Sequence, residues 1–340
     1  MHAAVFYGVK DLRLEEVPDP EPSADEVLIR VNATGICGTD IHIFRGEWST
    51  KTPIILGHEF SGIIAEIGRD VKSLGVGDPV VVEPNITCGS CYFCRLSERN
   101  YFCENLEAIG VTINGAFAEY VKARESNIYK VPREFNLDEA ALIEPLACCV
   151  RGIDQAGIRA GDAVAIVGAG PVGLILLQLA KQAGASMIIQ IDMEDARLKL
   201  ASKLGADYVV NIKNEDPIEA IRKLTDGYGV DVAIEAVGSP KAITQAMRAT
   251  RRGGRLLIFG VSPQEAIWEV KPFELYDKEL AVTTSYRSPF TFQRAVKIAV
   301  SGMVKLKPLI SHVFKLEEIH RAFEIAEKKL EGAVKVLVKP

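Results

Sequence analysis

Up to about residue 150 the apolar positions come in short bursts that alternate with polar ones and stop at glycine, proline, asparagine or aspartate. The stretches 26–31, 61–67 and 79–83 have this form, and they predict the short strands of a compact β-rich lobe. Beyond Asp162 the pattern changes. Apolar runs at 163–167, 187–191, 208–210, 230–236, 255–260 and 280–284 are mostly separated by stretches of helical period. Six strands alternating with helices predict a doubly wound parallel sheet. The tail differs again. Helical 292–301, a strand at 312–314, helical 316–330 and the segment 332–338 do not continue the alternation, so we expect them to return to the first lobe. The expected chain is α/β in two domains: 1–150, with 288–340 returning to it, and 151–287.

Composition narrows the classes. At 340 residues the chain exceeds the usual size of one core, and 48% hydrophobic with 25% charged residues is ordinary for a globular protein. A formal net charge of -5, with no basic cluster interleaved with aromatics, argues against a nucleic-acid partner. The apolar runs are too short to span a bilayer, and Lys10, Asp11, Arg13, Glu15 and Glu16 interrupt any leader-like run, so no membrane partner is expected. The seven cysteines are odd in number and tightly spaced in part. Metal thiolates and free thiols fit that spacing better than disulfides and point to a reducing, cytoplasmic setting.

Three motifs carry chemistry. The first runs from Cys37 through His58 and Glu59, in CGTDIH and GHEFSG. A thiolate, an imidazole and a carboxylate are all accepted zinc ligands, and three protein ligands leave one exchangeable position, as a catalytic zinc requires. The second is Cys88, Cys91, Cys94 and Cys103. Four sulfurs close a tetrahedron with no room for substrate, so this set predicts a structural zinc. The third follows the apolar run at 163–167: Gly168-Ala169-Gly170-Pro171-Val172-Gly173, and then a helical stretch. In that setting the glycine turn suits a dinucleotide pyrophosphate, placed against backbone N–H groups and the helix N-terminus. Asp192 ends the next strand, about twenty residues on, where its carboxylate would accept from ribose hydroxyls and repel a 2′-phosphate. NAD is therefore expected over NADP, although Arg197 is close enough in sequence to bear on that choice.

With these residues in view, the chain resembles the zinc-dependent medium-chain dehydrogenases nearly end to end, and Gly57 to Gly68 carries that family's Gly-His-Glu pattern with Gly62 and Gly68. The resemblance implies a GroES-like catalytic domain that is discontinuous in sequence, a Rossmann domain, one catalytic and one structural zinc, and oxidation of an alcohol to a ketone or aldehyde. It also implies a proton relay in which Thr39 contacts the substrate oxygen and His42 exchanges the proton near the surface. Asp40 is a candidate partner for the ligating imidazole. For the third protein ligand the resemblance offers both Glu59 and Glu144, which could alternate on the metal. Cys148 and Cys149 are expected to be metal-free thiols.

Glu144-Pro145-Leu146 and Arg287 resemble the sorbitol and polyol dehydrogenases, in which an arginine in this region contacts sugar hydroxyls. Ser288 stands where that pattern has tyrosine. The stretch around Cys37 also resembles threonine dehydrogenase, but Asn85 stands where that enzyme has a histidine. A polyol, sugar alcohol or sugar acid is therefore the preferred substrate, ahead of threonine-like amino alcohols or general secondary alcohols. Two other classes fit the residues less well. A zinc-free reductase relative would lack Cys37, His58 and Glu59, and a simple NAD-binding module would have no need of Thr39 and His42. Cys94 and Cys103 enclose eight residues, one more than the usual family loop. Relatives pair through the edge of the nucleotide-binding sheet, here around 256–284, so a homodimer or homotetramer is expected, with Trp268 and Phe273 as candidate anchors.

Overall fold

The protein is described from a computed structural model covering residues 1–96 and 100–340. The chain forms two compact units, one of Met1–Ala147, Pro289–Gly302 and Ile310–Pro340, the other of Cys148–Ser288 and Met303–Leu309.

In the first unit a seven-stranded sheet runs in the order Ile128–Lys130, Pro79–Val82, Glu59–Ile67, Glu26–Gly35, Lys335–Lys339 and Ile310–Lys315, and Tyr120–Arg124 also pairs with Glu26–Gly35. The alternation seen in the sequence has its usual cause. Val27, Ile29 and Val31 point one way into a core with Phe60, Val80 and Ile109, and the residues between them face out. A second core holds Phe6, Ile43, Leu56, Phe117 and Phe323, with the Phe117 and Phe323 rings edge-on at 5.6 Å. It includes the hairpin His2–Gly8 with Asp11–Glu16, which was not among the strands expected from the sequence. The C-terminal strand Lys335–Lys339 lies beside Glu26–Gly35, with Leu337 opposite Gly35.

In the second unit six parallel strands lie in the order Tyr208–Asn211, Met187–Asp192, Ala163–Val167, Val230–Glu235, Thr250–Ile258 and Ala281–Thr284. The order reverses direction on either side of Ala163–Val167, which is what a doubly wound sheet requires. Ala165, Val167, Ile189, Ile191, Ala233 and Leu256 are buried in its core, as expected for strands covered on both faces. Several helices begin with proline at the first turn, including Pro171–Gln182, Pro217–Leu224 and Pro240–Ala249. There the missing N–H has no partner to lose.

The tail divides more finely than its hydrophobic pattern indicated. Pro289–Gly302 and Ile310–Pro340 pack with the first unit, whereas Met303–Leu309 packs with the second. Gln178 explains part of this. Its side chain is buried, accepts from the Lys305 N–H at 2.8 Å and donates to the Lys305 carbonyl at 3.3 Å. An amide that reads as polar relief on a helix is instead the clamp for a passing segment. Trp268 is likewise an internal residue of the second unit. Its indole donates to Thr244 Oγ1 at 3.1 Å and packs on the core, while Phe273 is 69% exposed. Among the described residues no helix is long and apolar enough to cross a membrane.

Candidate functional site

The first donor set is assembled from two strand ends and a helix start. Glu26–Gly35 and Glu59–Ile67 are antiparallel neighbours with Gly35 opposite Glu59. The chain leaves the first at Gly35 and turns into the helix Gly38–Phe44 with Cys37 as its N-cap. The Asp40 carboxylate accepts from the Cys37 N–H at 2.8 Å, closing that turn. His58 and Glu59 enter the neighbouring strand. The ligand atoms of Cys37, His58 and Glu59 all lie within 4.8 Å of one another, and His58 and Glu59 are buried. A cation bound at the usual distances needs donors roughly 3.3–3.8 Å apart, so a small contraction suffices.

Asp40 and His58 supply the test of fit. Asp40 is fully buried, and its Oδ1 stands 3.4 Å from His58 Nδ1. Neither atom has a hydrogen-bond partner in good geometry. An imidazole whose Nδ1 faces a buried carboxylate is oriented to present Nε2 to a metal. Burial by itself would lower the His58 pKa, but the Asp40 carboxylate and the Cys37 sulfur outweigh it and raise the value well above the ordinary one. A buried cluster of acidic groups that draws a proton onto its imidazole is one that accepts a cation readily. The residues present therefore fit zinc.

A residue that carried no signal in the sequence completes this pocket. Lys335, 3% exposed, donates from Nζ to Glu59 Oε2 at 2.5 Å and to the Ile36 carbonyl at 3.1 Å. Burial would lower its pKa, yet Glu59 first and then Cys37 raise it, so the side chain stays an ammonium.

The second donor set is local. Cys88, Cys91, Cys94 and Cys103 also bring their sulfurs within 4.8 Å of one another. Backbone N–H groups point at these sulfurs, and Cys88 itself donates to Cys103 Sγ at 3.2 Å. The Ser90 N–H and hydroxyl lower the Cys88 pKa to about 5, whereas burial and the neighbouring sulfurs push Cys94 up to about 12. Four sulfurs crowded together without a cation cannot all ionise, and a metal ion relieves that conflict. The loop of eight residues between Cys94 and Cys103 includes 97–99, which lie outside the described residues.

In the second unit the strand Ala163–Val167 leads to Gly168, whose φ of +105° suits glycine. A Cβ on Gly173 would stand 1.9 Å from the Gly168 carbonyl, so the third glycine lets helix Pro171–Gln182 pack against the turn. A Cβ on Gly170 would meet nothing within 4 Å, which marks the open side of the turn. Asp192 braces the glycine turn. Its Oδ2 accepts from the Ala169 N–H at 2.6 Å, and its Oδ1 accepts from the Met193 and Glu194 N–H groups at 2.8 and 2.9 Å. The buried Gln190 donates to the Gly168 carbonyl at 2.6 Å and pins the same turn. Arg197 is buried in the helix Asp195–Leu204.

Thr39 and His42 lie three apart on Gly38–Phe44, hence on one face. His42 Nδ1 meets Glu47 Oε2 at 2.5 Å, a contact not foreseen from the sequence. Glu144 is buried in helix Ile143–Ala156 and is not part of the Cys37 donor set. Cys148 and Cys149 belong to neither donor set, and Cys149 donates to the Val172 carbonyl at 3.7 Å. Arg287 follows the edge strand of the second unit, has a φ of +60° and lies over the Tyr286 ring at 4.7 Å. Asn85 donates to Glu83 Oε1 at 2.7 Å.

Comparison with known proteins agrees with this geometry. Residues 23–133 match the alcohol dehydrogenase GroES-like domain, and residues 171–301 match the zinc-binding dehydrogenase domain. The sorbitol dehydrogenase of Bacillus subtilis (strain 168) is 37% identical, over 100% of this chain and 97% of that protein. An L-threonine 3-dehydrogenase of Bacillus velezensis is 38% identical, over 94% of each. Among solved structures, a zinc-binding dehydrogenase of Sinorhizobium meliloti 1021 bound to NADP superimposes with a TM-score of 0.95 at 37% identity, covering 100% of this chain and 99% of that one. With both domains matched and full-length relatives well above 30% identity, the chain belongs to the zinc-dependent medium-chain dehydrogenases, enzymes of the alcohol and polyol dehydrogenase type.

Proposed function

We propose that this enzyme oxidises a secondary alcohol of a polyol, sugar alcohol or sugar acid to the ketone, passing hydride to NAD. The observation that carries the reading is the contrast between two donor sets in one unit: four sulfurs gathered together, and Cys37 beside the buried His58 and Glu59, three donors that would leave a position for substrate. Cys37, His58 and Glu59 would hold the catalytic zinc, with Glu144 as the alternate carboxylate. Cys88, Cys91, Cys94 and Cys103 would hold the structural one. When bound, the catalytic zinc supplies Lewis acidity that lowers the pKa of an alcohol. The nicotinamide supplies the hydride acceptor.

The chain's own residues do the rest. Thr39 would contact the substrate oxygen and take its proton, and His42 would exchange a proton with solvent. Gly168, Gly170, Pro171, Val172 and Gly173 would seat the pyrophosphate. Asp192, with Arg197 behind it, would select the ribose. With both carboxylate oxygens already turned toward backbone N–H groups, Asp192 is held rigidly and keeps its charge where a 2′-phosphate would lie. Arg287 would orient substrate hydroxyls.

We further infer a homo-oligomer, dimer or tetramer, and a cytoplasmic setting. Ala281–Thr284 is the edge of the parallel sheet, and Val282, Ile267, Phe273 and Tyr276 are exposed on the same unit. An unpaired edge beside apolar side chains suits pairing with a second copy. Unpaired thiols and thiolate metal sites suit a reducing compartment.

The test is formation of reduced nicotinamide across a panel of polyols, sugar acids, threonine and simple alcohols, with zinc-replete and chelator-stripped enzyme. Zinc-dependent turnover of polyols or sugar acids is expected. Turnover of threonine alone would move the substrate to the amino alcohols, a reading that the L-threonine 3-dehydrogenase relative favours. Equal turnover without zinc would remove Cys37, His58 and Glu59 from the chemistry.

A further inference from the structure

The strands that carry Lys335 and Glu59 are not neighbours. Glu26–Gly35 runs between them, and Gly35 pairs with Glu59 on one side and Leu337 on the other. Lys335 stands two residues before Leu337, so its side chain leaves the same face of the sheet and reaches Glu59 across Gly35. A Cβ at Gly35 would lie 2.4 Å from Glu59 Oε2 and 3.4 Å from Lys335 Cδ, so the bridge crosses only because that position is glycine.

A fully buried ion pair is seldom the most stable filling of such a space. Charge gives it a purpose. Lys335 Nζ sits on an oxygen of Glu59, the carboxylate that also belongs to the Cys37, His58 and Glu59 donor set, so the protein's own cation and a bound metal would draw on the same group.

We propose that Lys335 is a positioning residue that competes with the metal for Glu59. It holds Oε2 on the protein's own cation, so that Glu59 approaches the metal reversibly and the fourth position stays open to substrate. This rests on the reading of Cys37, His58 and Glu59 as a zinc site and deepens it.

The experiment measures zinc affinity at this site in full-length protein by competition with a chromogenic chelator, with the four-cysteine zinc retained. In Lys335→Met the site is expected to bind zinc about tenfold or more tightly than the parent, because a repelling charge is gone and Glu59 is released to the metal. The cobalt(II)-substituted variant is expected to show an altered visible spectrum. Lys335→Arg is expected to stay close to the parent in both. A folded Lys335→Met with unchanged or weaker zinc binding would overturn the proposal, since a purely structural lysine gives that result. Should Lys335→Met fail to fold, Lys335→Gln takes its place with the same expectation of tighter zinc binding, and a folded Lys335→Gln with unchanged or weaker binding overturns the proposal. Parent protein that takes up zinc only at the cysteine loop would instead overturn the reading of the site itself.

Discussion

The two donor sets of the first unit are made of similar chemistry and built in opposite ways. Cys88, Cys91, Cys94 and Cys103 come from one short stretch, gathered by tight turns whose N–H groups point at sulfur. Cys37, His58 and Glu59 are gathered by strand pairing, with Asp40 supporting the imidazole and Lys335 arriving from a strand 276 residues away. The local set has four sulfur donors and no protein cation bonded to it among the described residues. The assembled set carries its own countercharge. A set that only clamps a loop can leave neutralisation to the metal, whereas one that exchanges ligands needs a protein group to hold the carboxylate when the metal does not.

The sharpest way to break this comparison is to remove one ligand from each set. His58→Ala is expected to lower kcat at least about a thousandfold, roughly 4 kcal/mol on the barrier. Bound zinc should fall by one per chain with the thermal midpoint little changed, as checked by turnover, metal analysis and calorimetry. Cys94→Ser should behave in the opposite sense. Loss of the cysteine-bound zinc is expected to lower the midpoint by about 10 °C, and the protein that stays folded at low temperature should retain cofactor binding. A Cys94→Ser variant with unchanged stability would mean that the second set clamps nothing.

A finer cut tests orientation rather than ligation. Asp40→Asn keeps the shape of the pocket and removes the charge facing His58, so zinc affinity at the open site should fall roughly 10- to 100-fold. Zinc on the cysteine set should be unaffected. Chelator competition on the two metals separately decides this, and equal weakening of both would show a general loss of stability. The smallest effect belongs to Ser90, whose hydroxyl lies 3.6 Å from Cys88 Sγ. Ser90→Ala is expected to lower the midpoint by only about 1–2 °C, because backbone N–H groups remain on the sulfur.

Legibility followed the same division. Spacing alone revealed the cysteine set and the glycine turn, since three sulfurs with two residues between each, or three glycines where a strand passes into a helix, act within a few residues of chain. The partner of Glu59 could not be seen. Lys335 reads as an ordinary charge at the start of KVLVK, and only the register of three strands carries it across Gly35. Asp192 was recognised for its place after the glycines, but its grip on the Ala169, Met193 and Glu194 N–H groups was not. Side-chain-to-backbone bonds of that kind leave no periodic trace. Trp268 shows the converse. Its apolar bulk fitted a contact with a second copy and an internal core role equally well, and its indole donates to Thr244 inside its own unit.

By itself the sequence determined the two-part α/β plan, the clustering of four cysteines, the turn that suits a pyrophosphate and the pairing of Cys37 with His58 as candidate donors. Each depends on residue type and short spacing, and hydrophobic period and local backbone geometry act at that range. Only the tertiary structure decided which cation accompanies Glu59 and that Met303–Leu309 leaves the tail to join the second unit. Those outcomes depend on strand order, register and the demand that every buried charge or amide find a partner, and such terms exist only once distant segments lie side by side.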